Sequence, residues 1–467
     1  MHWYKRFLFI VVIGCLVCSK NAYSNDARVV RLTVESVHLE GLVTTRCEYV
    51  FALLQIRPGD VFTPDDVRFE SARIRLLASG IFESVDFRFR RGRKKGYVQL
   101  VVRLQERNTL QIRHLFFGMS RVIPFWFGLG LQERNFDGQA MRLSVSAVGT
   151  ATANIMEGQP QYAMESSIFL PQKWKIPVHA GVRYASGTEF YRTYGDPDDG
   201  NPSNFLSLSY QRGGFWTETF FPIGPFFFHL GLSSELLYTD LPAERIRHYP
   251  DGTSRQIRFN LEDGLSFLGF LSGKFTWDTR NRDVLPSSGT LVEVSGRLGS
   301  PMTFSSYTYT RGEFVFEHYT RWGRHIGSVR LFAGGIMGSP SLFDKFYIGD
   351  LQDLVAPRAL DLNLSVAPSP NFLNTGITEN RWGTTAFKLS IRYDYPLFSR
   401  YGFIYRGHFF VSAGIVGLAS PSQLRYRESS LRESLPLDLT FDFGLHVDTS
   451  WGIFRFSIAN ALTRMPF

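Results

Sequence analysis

The chain has 467 residues, with 15% aromatic and 20% charged side chains, a formal charge of +9 and three cysteines. Past the first 20 residues it contains no run of about 18 apolar residues, which excludes a bundle of membrane-spanning helices. A mean hydropathy near zero leaves room for a transmembrane barrel, whose strands alternate lipid-facing apolar with lumen-facing polar residues.

Residues 1–24 read as a secretory signal. Lys5 and Arg6 start it, Phe7 to Val17 form its apolar centre, and Ala22-Tyr23-Ser24 offers a small-x-small cleavage site. The apolar run is short for a membrane anchor, and "VIGC", ending at Cys15, matches a lipoprotein cleavage site only loosely. Cys15 and Cys18 fall in the signal, leaving Cys47. No intramolecular disulfide, cysteine metal cluster or cofactor is expected. The arginines are scattered along strands rather than clustered, which suits lipid headgroups or a pore lining better than nucleic acid.

Residues 29–107 read β-α-α-β-β. "VRLTVESVHLEG" is a strand and "VTTRCEYVFALLQI" a helix. A second helix follows in "FTPDDVRFESARIRLLASG". Thr63 is its expected N-cap, Pro64 its first residue, Asp66 a capping-box partner, and Phe62 with Val67 a staple; Gly80 ends it. Phe69, Ala72 and Leu76 make its apolar stripe. "IFESVDFRFRRG" and "GYVQLVVRLQER" are strands joined by the basic turn "RRGRKK".

From 108 to 467 strand follows strand, with no convincing helix. In "LDLTFDFGLHVDTS", Leu437, Leu439, Phe441, Phe443, Leu445 and Val447 share one face; Asp438, Thr440, Asp442, His446 and Asp448 share the other. "TAFKLSIRYDYP" alternates likewise. A soluble all-β sandwich also has two faces. Strand lengths near ten residues, many apolar faces needing cover and the export signal favour a bilayer. An unpaired edge in lipid is costly, so the sheet closes on itself. We expect an antiparallel transmembrane barrel of 16 strands, with 14 as the alternative.

No G-x-S-x-G, H-E-x-x-H, P-loop or paired-cysteine pattern is present. "GLGLQERN" is a strand and turn rather than a nucleotide loop, and His446 beside Asp442 and Asp448 reads as polar lining. No enzyme is expected.

"DTRNRDVLPSSGTLVEVSGRL" carries D-x-R-x(5)-P-x-x-G-T at Asp278, Arg280, Pro286 and Gly289. "GLQERNFDGQAMRLSVSA" presents a hairpin with Asn135 and Gly138, "LFDKFYIGDLQDLVAPRAL" a loop with Gly349 and Arg358, and "GIFRFSIANAL" a late strand. Together these resemble the BamA/TamA superfamily of outer-membrane assembly and translocation barrels. The resemblance implies a POTRA domain at 29–107 in the periplasm of a Gram-negative type envelope, and an outer-membrane barrel at 108–467. It implies insertion or translocation of β-rich polypeptides. Expected partners are unfolded or secreted clients, membrane lipid, and chaperones or lipoproteins at the POTRA domain. A sheet edge at "IFESVDFRF" or "GYVQLVVRL" would recruit them. The alternatives are a two-partner-type secretion pore for one passenger and a passive structural barrel. The family usually has one more strand after "GIFRFSIA", where this chain has "NALTRMPF" with Phe467.

By the same resemblance, the 346–363 loop folds into the barrel and Arg358 meets acids on the inner wall. The motif departs from the family: Ala359-Leu360 replaces Gly-Phe, Asp350 replaces a second Gly, and Ser390 and Ser412 occupy the acidic wall positions. We therefore expect Asp438, Asp442 or Asp448 to hold the arginine, since a buried guanidinium needs carboxylate partners. The ordinary alternative is an exposed loop arginine.

Overall fold

The computed structural model describes residues 31–63, 66–118, 125–150, 160–171, 176–194, 204–248, 252–281, 286–351, 358–363, 372–373, 375, 381–399, 404–420, 436–449 and 452–459. The signal at 1–24, Pro64 and Phe467 lie outside them. The chain divides into two compact units, 1–107 and 108–467.

The first unit contains β1 (Leu32–Glu40), α1 (Cys47–Leu54), β2 (Val61–Phe62), α2 (Val67–Ala78), β3 (Phe82–Arg91) and β4 (Tyr97–Glu106). The sheet runs β2-β1-β4-β3, with β1 and β4 parallel. Val50, Leu54, Ala72, Leu76, Leu100 and Val102 are fully buried between the helices and the sheet. Two expectations are corrected. Asp66 is itself the N-cap of α2, its carboxylate accepting from Arg68 N at 3.0 Å. The staple is absent: Val67 is 78% exposed, and Phe62 packs edge-on to Phe69 at 4.9 Å instead. A cap three residues later than expected turns Val67 outward while keeping Ala72 and Leu76 inward. Only β3 of the two expected edge strands lies at an edge; β4, the "GYVQLVVRL" strand, is flanked by β1 and β3.

The second unit is a ring of long strands: β5 (Leu110–Gly118), β6 (Trp126–Phe136), β7 (Met141–Thr150), β8 (Tyr162–Leu170), β9 (Val178–Arg192), β10 (Phe205–Ile223) and β11 (Phe226–Asp240) come first. A small hairpin, β12 (Ile246–His248) and β13 (Ser254–Gln256), precedes β14 (Gly264–Asp278), β15 (Gly289–Gly299), β16 (Tyr309–Trp322) and β17 (His325–Gly338). The long loop after β17 holds β18 (Phe346–Tyr347), α3 (Ile348–Leu351), β19 (Arg358–Ala359), β20 (Leu362–Asn363) and β21 (Trp382–Gly383). β22 (Thr385–Ser399), β23 (Ile404–Ala419), β24 (Leu437–Thr449) and β25 (Gly452–Ala459) complete it. α3, a single turn, corrects the expectation of no helix after residue 108.

Fifteen strands form one antiparallel sheet among the described residues, between the expected fourteen and sixteen. β25 comes back beside β5, and no pairing joins them among the described residues. An odd number of antiparallel strands leaves these two running the same way. Connections at one end run from two residues, as at 224–225 and 323–324, to the ten of 279–288; those at the other include the long ones at 241–263 and 339–384. β5 starts from the tight-turn end.

Burial is inside out. Along β22, Phe387, Leu389, Ile391 and Tyr393 are exposed on the outer face, while Lys388, Ser390 and Asp394 are buried on the inner one. In β24, Asp438, Thr440 and Asp442 are buried while Phe443 and Leu445 are exposed. Water does not select such a surface; a hydrocarbon solvent does. The molecule is a transmembrane antiparallel barrel preceded by a small β/α domain of POTRA type.

Candidate functional site

The described residues of the 339–384 loop include a set that packs against the inner wall of the barrel. The loop's neck is the ribbon β18/β21, with Tyr347 opposite Trp382, and its tip is the hairpin β19/β20, with Ala359 opposite Leu362. Phe346, Ile348, Leu351, Ala359 and Leu362 are buried in one apolar cluster with Phe190, Tyr210 and Leu237 of β9–β11 and with Ile336, Ala386 and Val416 of the wall near the loop's root. These loop residues thus share one apolar core with the inner wall.

Arg358 is half-buried with its loop, and its partner is Asp350. Nε donates to Asp350 Oδ1 at 3.1 Å, and Nη2 bonds Oδ2. The guanidinium lies 5.3 Å from the Tyr347 ring and 5.6 Å from that of Trp382, within cation–π range. Burial works against its charge; Asp350 more than offsets this and raises its pKa. This corrects the expected wall partners. Asp438 accepts from Phe372 N at 3.2 Å and Leu373 N at 2.9 Å, Asp448 pairs with Arg406 at 2.7 Å, and Asp442 is buried opposite Ser412. The physical reason is local. Asp350, on α3, puts a carboxylate eight residues before the arginine, within reach and on the same loop. Of the other expected loop residues, Gly349 and Ala359 are buried, and Leu360 stands at the hairpin turn.

Leu360 and Asp361 have φ of +46° and +65°, the pair of left-handed residues that a two-residue hairpin turn requires. Asp accepts that region readily and Leu does not. Asp361 Oδ2 takes Arg183 Nη1 at 3.3 Å and Arg212 Nη2 at 3.4 Å. Glu235 binds the same two guanidiniums, Arg212 Nε at 2.7 Å and Arg183 through Nη2. Gly214 stands between Arg183 and Glu235 in the register; without a side chain there, the two reach each other across β10. Burial raises the Asp361 pKa, and Arg212 and Arg183 more than reverse this, setting it at about 2. Beside this, Asn363 Nδ2 donates to Glu189 Oε2 at 3.1 Å and Tyr347 OH to Asn363 Oδ1 at 2.9 Å. The sequence singled out none of Arg183, Arg212, Glu235 and Asp361. Three of them carry one available signal: full charges on the inward phase of strands.

The expected turn motif comes together between β14 and β15. Asp278 receives Arg280 Nε at 2.9 Å, Nη2 at 2.7 Å and backbone N at 2.9 Å. Arg280 also lies 3.5 Å from Glu317 of β16. Asn281 accepts from Ser287 N at 3.0 Å, beside Pro286. Gly289 has φ +105°, and a Cβ there would lie 2.4 Å from Thr279 O. The Asn135 hairpin also forms, with Asn135 accepting from Ala140 N at 3.0 Å and Gly138 at φ +67°.

The Omp85 superfamily domain matches residues 135–466. The chain belongs to the Omp85 superfamily. A search of curated proteins finds no match. Among solved structures, BamA from Haemophilus ducreyi lacking POTRA domains 1–3 is similar at 16% identity and TM-score 0.58, over 92% of this chain and 80% of that one. CdiB from Escherichia coli is similar at 12% identity and TM-score 0.56, over 92% and 72%. CdiB from Acinetobacter baumannii is similar at 11% identity and TM-score 0.50, over 90% and 68%. At these identities the likeness is one of fold. The Omp85 barrel is an outer-membrane protein with an insertion or translocation role.

Proposed function

We propose that this Omp85 barrel inserts β-rich polypeptides into the outer membrane by templating them at its seam. The observation that carries the reading is the pair of facing edges on β5 and β25, nine and eight residues long, with no pairing between them among the described residues. An orphan backbone group in lipid costs several kcal/mol, so an incoming strand that pairs with such an edge is strongly favoured. The client then extends strand by strand until it closes on itself, with no ATP and no covalent chemistry. The small domain lies in the periplasm in this reading. The outer edge of β3 offers it a place to add a strand from a client, a chaperone or a lipoprotein.

Dedicated export of one passenger is the second reading, supported by the likeness to two CdiB structures. Depletion of the protein followed by a census of the outer membrane separates the two. Templating predicts loss of many barrels; dedicated export predicts loss of one secreted protein. An unchanged census contradicts both and favours a passive barrel. A disulfide joining β5 to β25 should arrest insertion, with reduction restoring it.

A further inference from the structure

The outer face of the barrel carries a cluster unlike the apolar band above it. It lies at the tight-turn end, around the two-residue turn 323–324 between β16 and β17. Trp322 and His325 face each other across that turn, their rings stacked at 6.3 Å and 13°. The indole reaches over Gly327, where a Cβ would lie 2.6 Å from its ring. His325 Nδ1 is 2.6 Å from the Tyr393 hydroxyl of β22, and the Arg324 guanidinium lies 5.7 Å from the Tyr395 ring. Tyr393 and Tyr395 share the outward phase of Phe387, Leu389 and Ile391, and Trp322, Arg324 and His325 are exposed. The turn at 224–225, at the same end, carries no charge and is flanked by exposed Ile223 and Phe226.

We propose that this sector is a binding site for the headgroup of an anionic phospholipid, with Arg324 and His325 on its phosphate over a floor of Trp322, Tyr393 and Tyr395. Three observations carry it. The first is level. Eight residues of β22 at about 3.4 Å each, tilted by about 40°, put Tyr395 roughly 20 Å along the bilayer normal from Phe387, near one rim of an apolar band about 25 Å tall. Headgroups lie at that rim, where Trp and Tyr present an apolar body and a polar tip. Short turns face the periplasm in bacterial barrels, so the lipid belongs to the periplasmic leaflet. The second is charge. Among the described residues, the carboxylates of β15, β16 and β22 are Glu293, Glu313, Glu317 and Asp394, and all take the inward phase, paired there with Lys274, Arg311, Arg330 and Arg392. Arg324 is left facing lipid with an aromatic ring beneath it and an anion wanting. A zwitterionic headgroup would bring an ammonium that meets no carboxylate on this face, so the site favours a lipid whose phosphate is its only charge. The third is direction. With the Tyr393 hydroxyl donating to Nδ1, His325 carries its hydrogen on Nε2 and offers it to a phosphate oxygen. Arg321, on the inward phase of the same turn, donates through Nε to Gly323 O at 2.8 Å and fixes the turn from within.

The test is native mass spectrometry of the full-length protein released from detergent micelles doped with phosphatidylglycerol or phosphatidylethanolamine of equal chain length. No client is present, so the result is independent of the function proposed above. The parent should retain phosphatidylglycerol in preference to phosphatidylethanolamine. Arg324→Gln should weaken that retention about five-fold, the scale of one basic side chain at an anionic lipid surface, and His325→Gln added to it should weaken it further. Arg255→Gln makes the same change of charge on the β12–β13 hairpin, at the other end of the barrel, and should leave retention unchanged. A parent that holds both lipids equally overturns the proposal. So does a folded Arg324→Gln barrel, shown by heat-modifiable migration, that holds phosphatidylglycerol as the parent does. Where the variants do not fold, phosphatidylglycerol with a photoactivatable headgroup is crosslinked to the parent and the labelled peptides are mapped. Labels should fall within 318–327 and 393–395; a pattern that leaves both stretches unlabelled overturns the site.

Discussion

The two units obey one rule in two solvents. The small domain buries Leu100, Val102, Ala72 and Leu76 and shows water its arginines and glutamates. The barrel shows its surroundings Phe387, Leu389 and Ile391, and turns Lys388, Ser390 and Asp394 inward. Apolar side chains go in the first case to the centre and in the second to the rim. The difference teaches that exposure has no fixed meaning until the solvent is named. It also explains why the barrel needs a loop: a polar lumen must be filled by water, by ion pairs or by chain, and residues 346–351 and 358–363 supply the last two.

The comparison can be broken most sharply in the small core. Leu100→Ala, at a fully buried site, should cost about 2–5 kcal/mol. Denaturant-dependent proteolysis of β1–β4, with the barrel's heat-modifiable migration unchanged, reads it. Next comes a matched pair of exposed positions. Ile391→Arg, at 64% exposure on the barrel, should cost about 2–4 kcal/mol if the site lies near the bilayer midplane. Val67→Arg, at 78% exposure on α2, should stay within about 0.5 kcal/mol. Equilibrium refolding into vesicles measures both, and equal costs would erase the distinction. Gly289→Ala sharpens the account of the barrel's turn motif and should cost about 1–3 kcal/mol from its backbone conformation, read in the same assay. The smallest effect is one of pH. Glu106 accepts from Val43, Thr44 and Thr45 N; burial raises its pKa, and the Thr45 hydroxyl together with these backbone donors outweighs that and lowers it. A lowered native value makes its contribution complete above the unfolded value of 4.5 and progressively lost as pH falls below it. Glu106→Gln should flatten the acid limb of the small domain's stability curve.

Much of the fold was legible because period-two alternation survives in strands as long as β22 and β24, and a bilayer demands it over many consecutive residues. The motif at Asp278, Arg280, Pro286 and Gly289 was legible because its ion pair and its left-handed glycine are local in sequence. Arg358 was expected to meet a wall carboxylate, Asp438, Asp442 or Asp448, and pairs instead with Asp350 of its own loop. Asp350 stood out as a departure from the family, and its charge is what the arginine uses. The Asp361 ion pairs were not legible: Arg183 and Arg212 lie 178 and 149 residues from it, and only the ring brings them together. The start of α2 was misplaced because Thr63 and Asp66 are both good caps, and only packing chooses between them.

The central claim is that residues 108–467 form a lipid-embedded ring with ionic groups inside. It is tested most directly by nitroxide labels placed singly at 387 to 392 in vesicles, in a background lacking Cys47. The account predicts a period of two, with 387, 389 and 391 relaxed by oxygen dissolved in the bilayer and 388, 390 and 392 out of phase. Labels that all respond to a water-soluble relaxant, or that show no alternation, would contradict it.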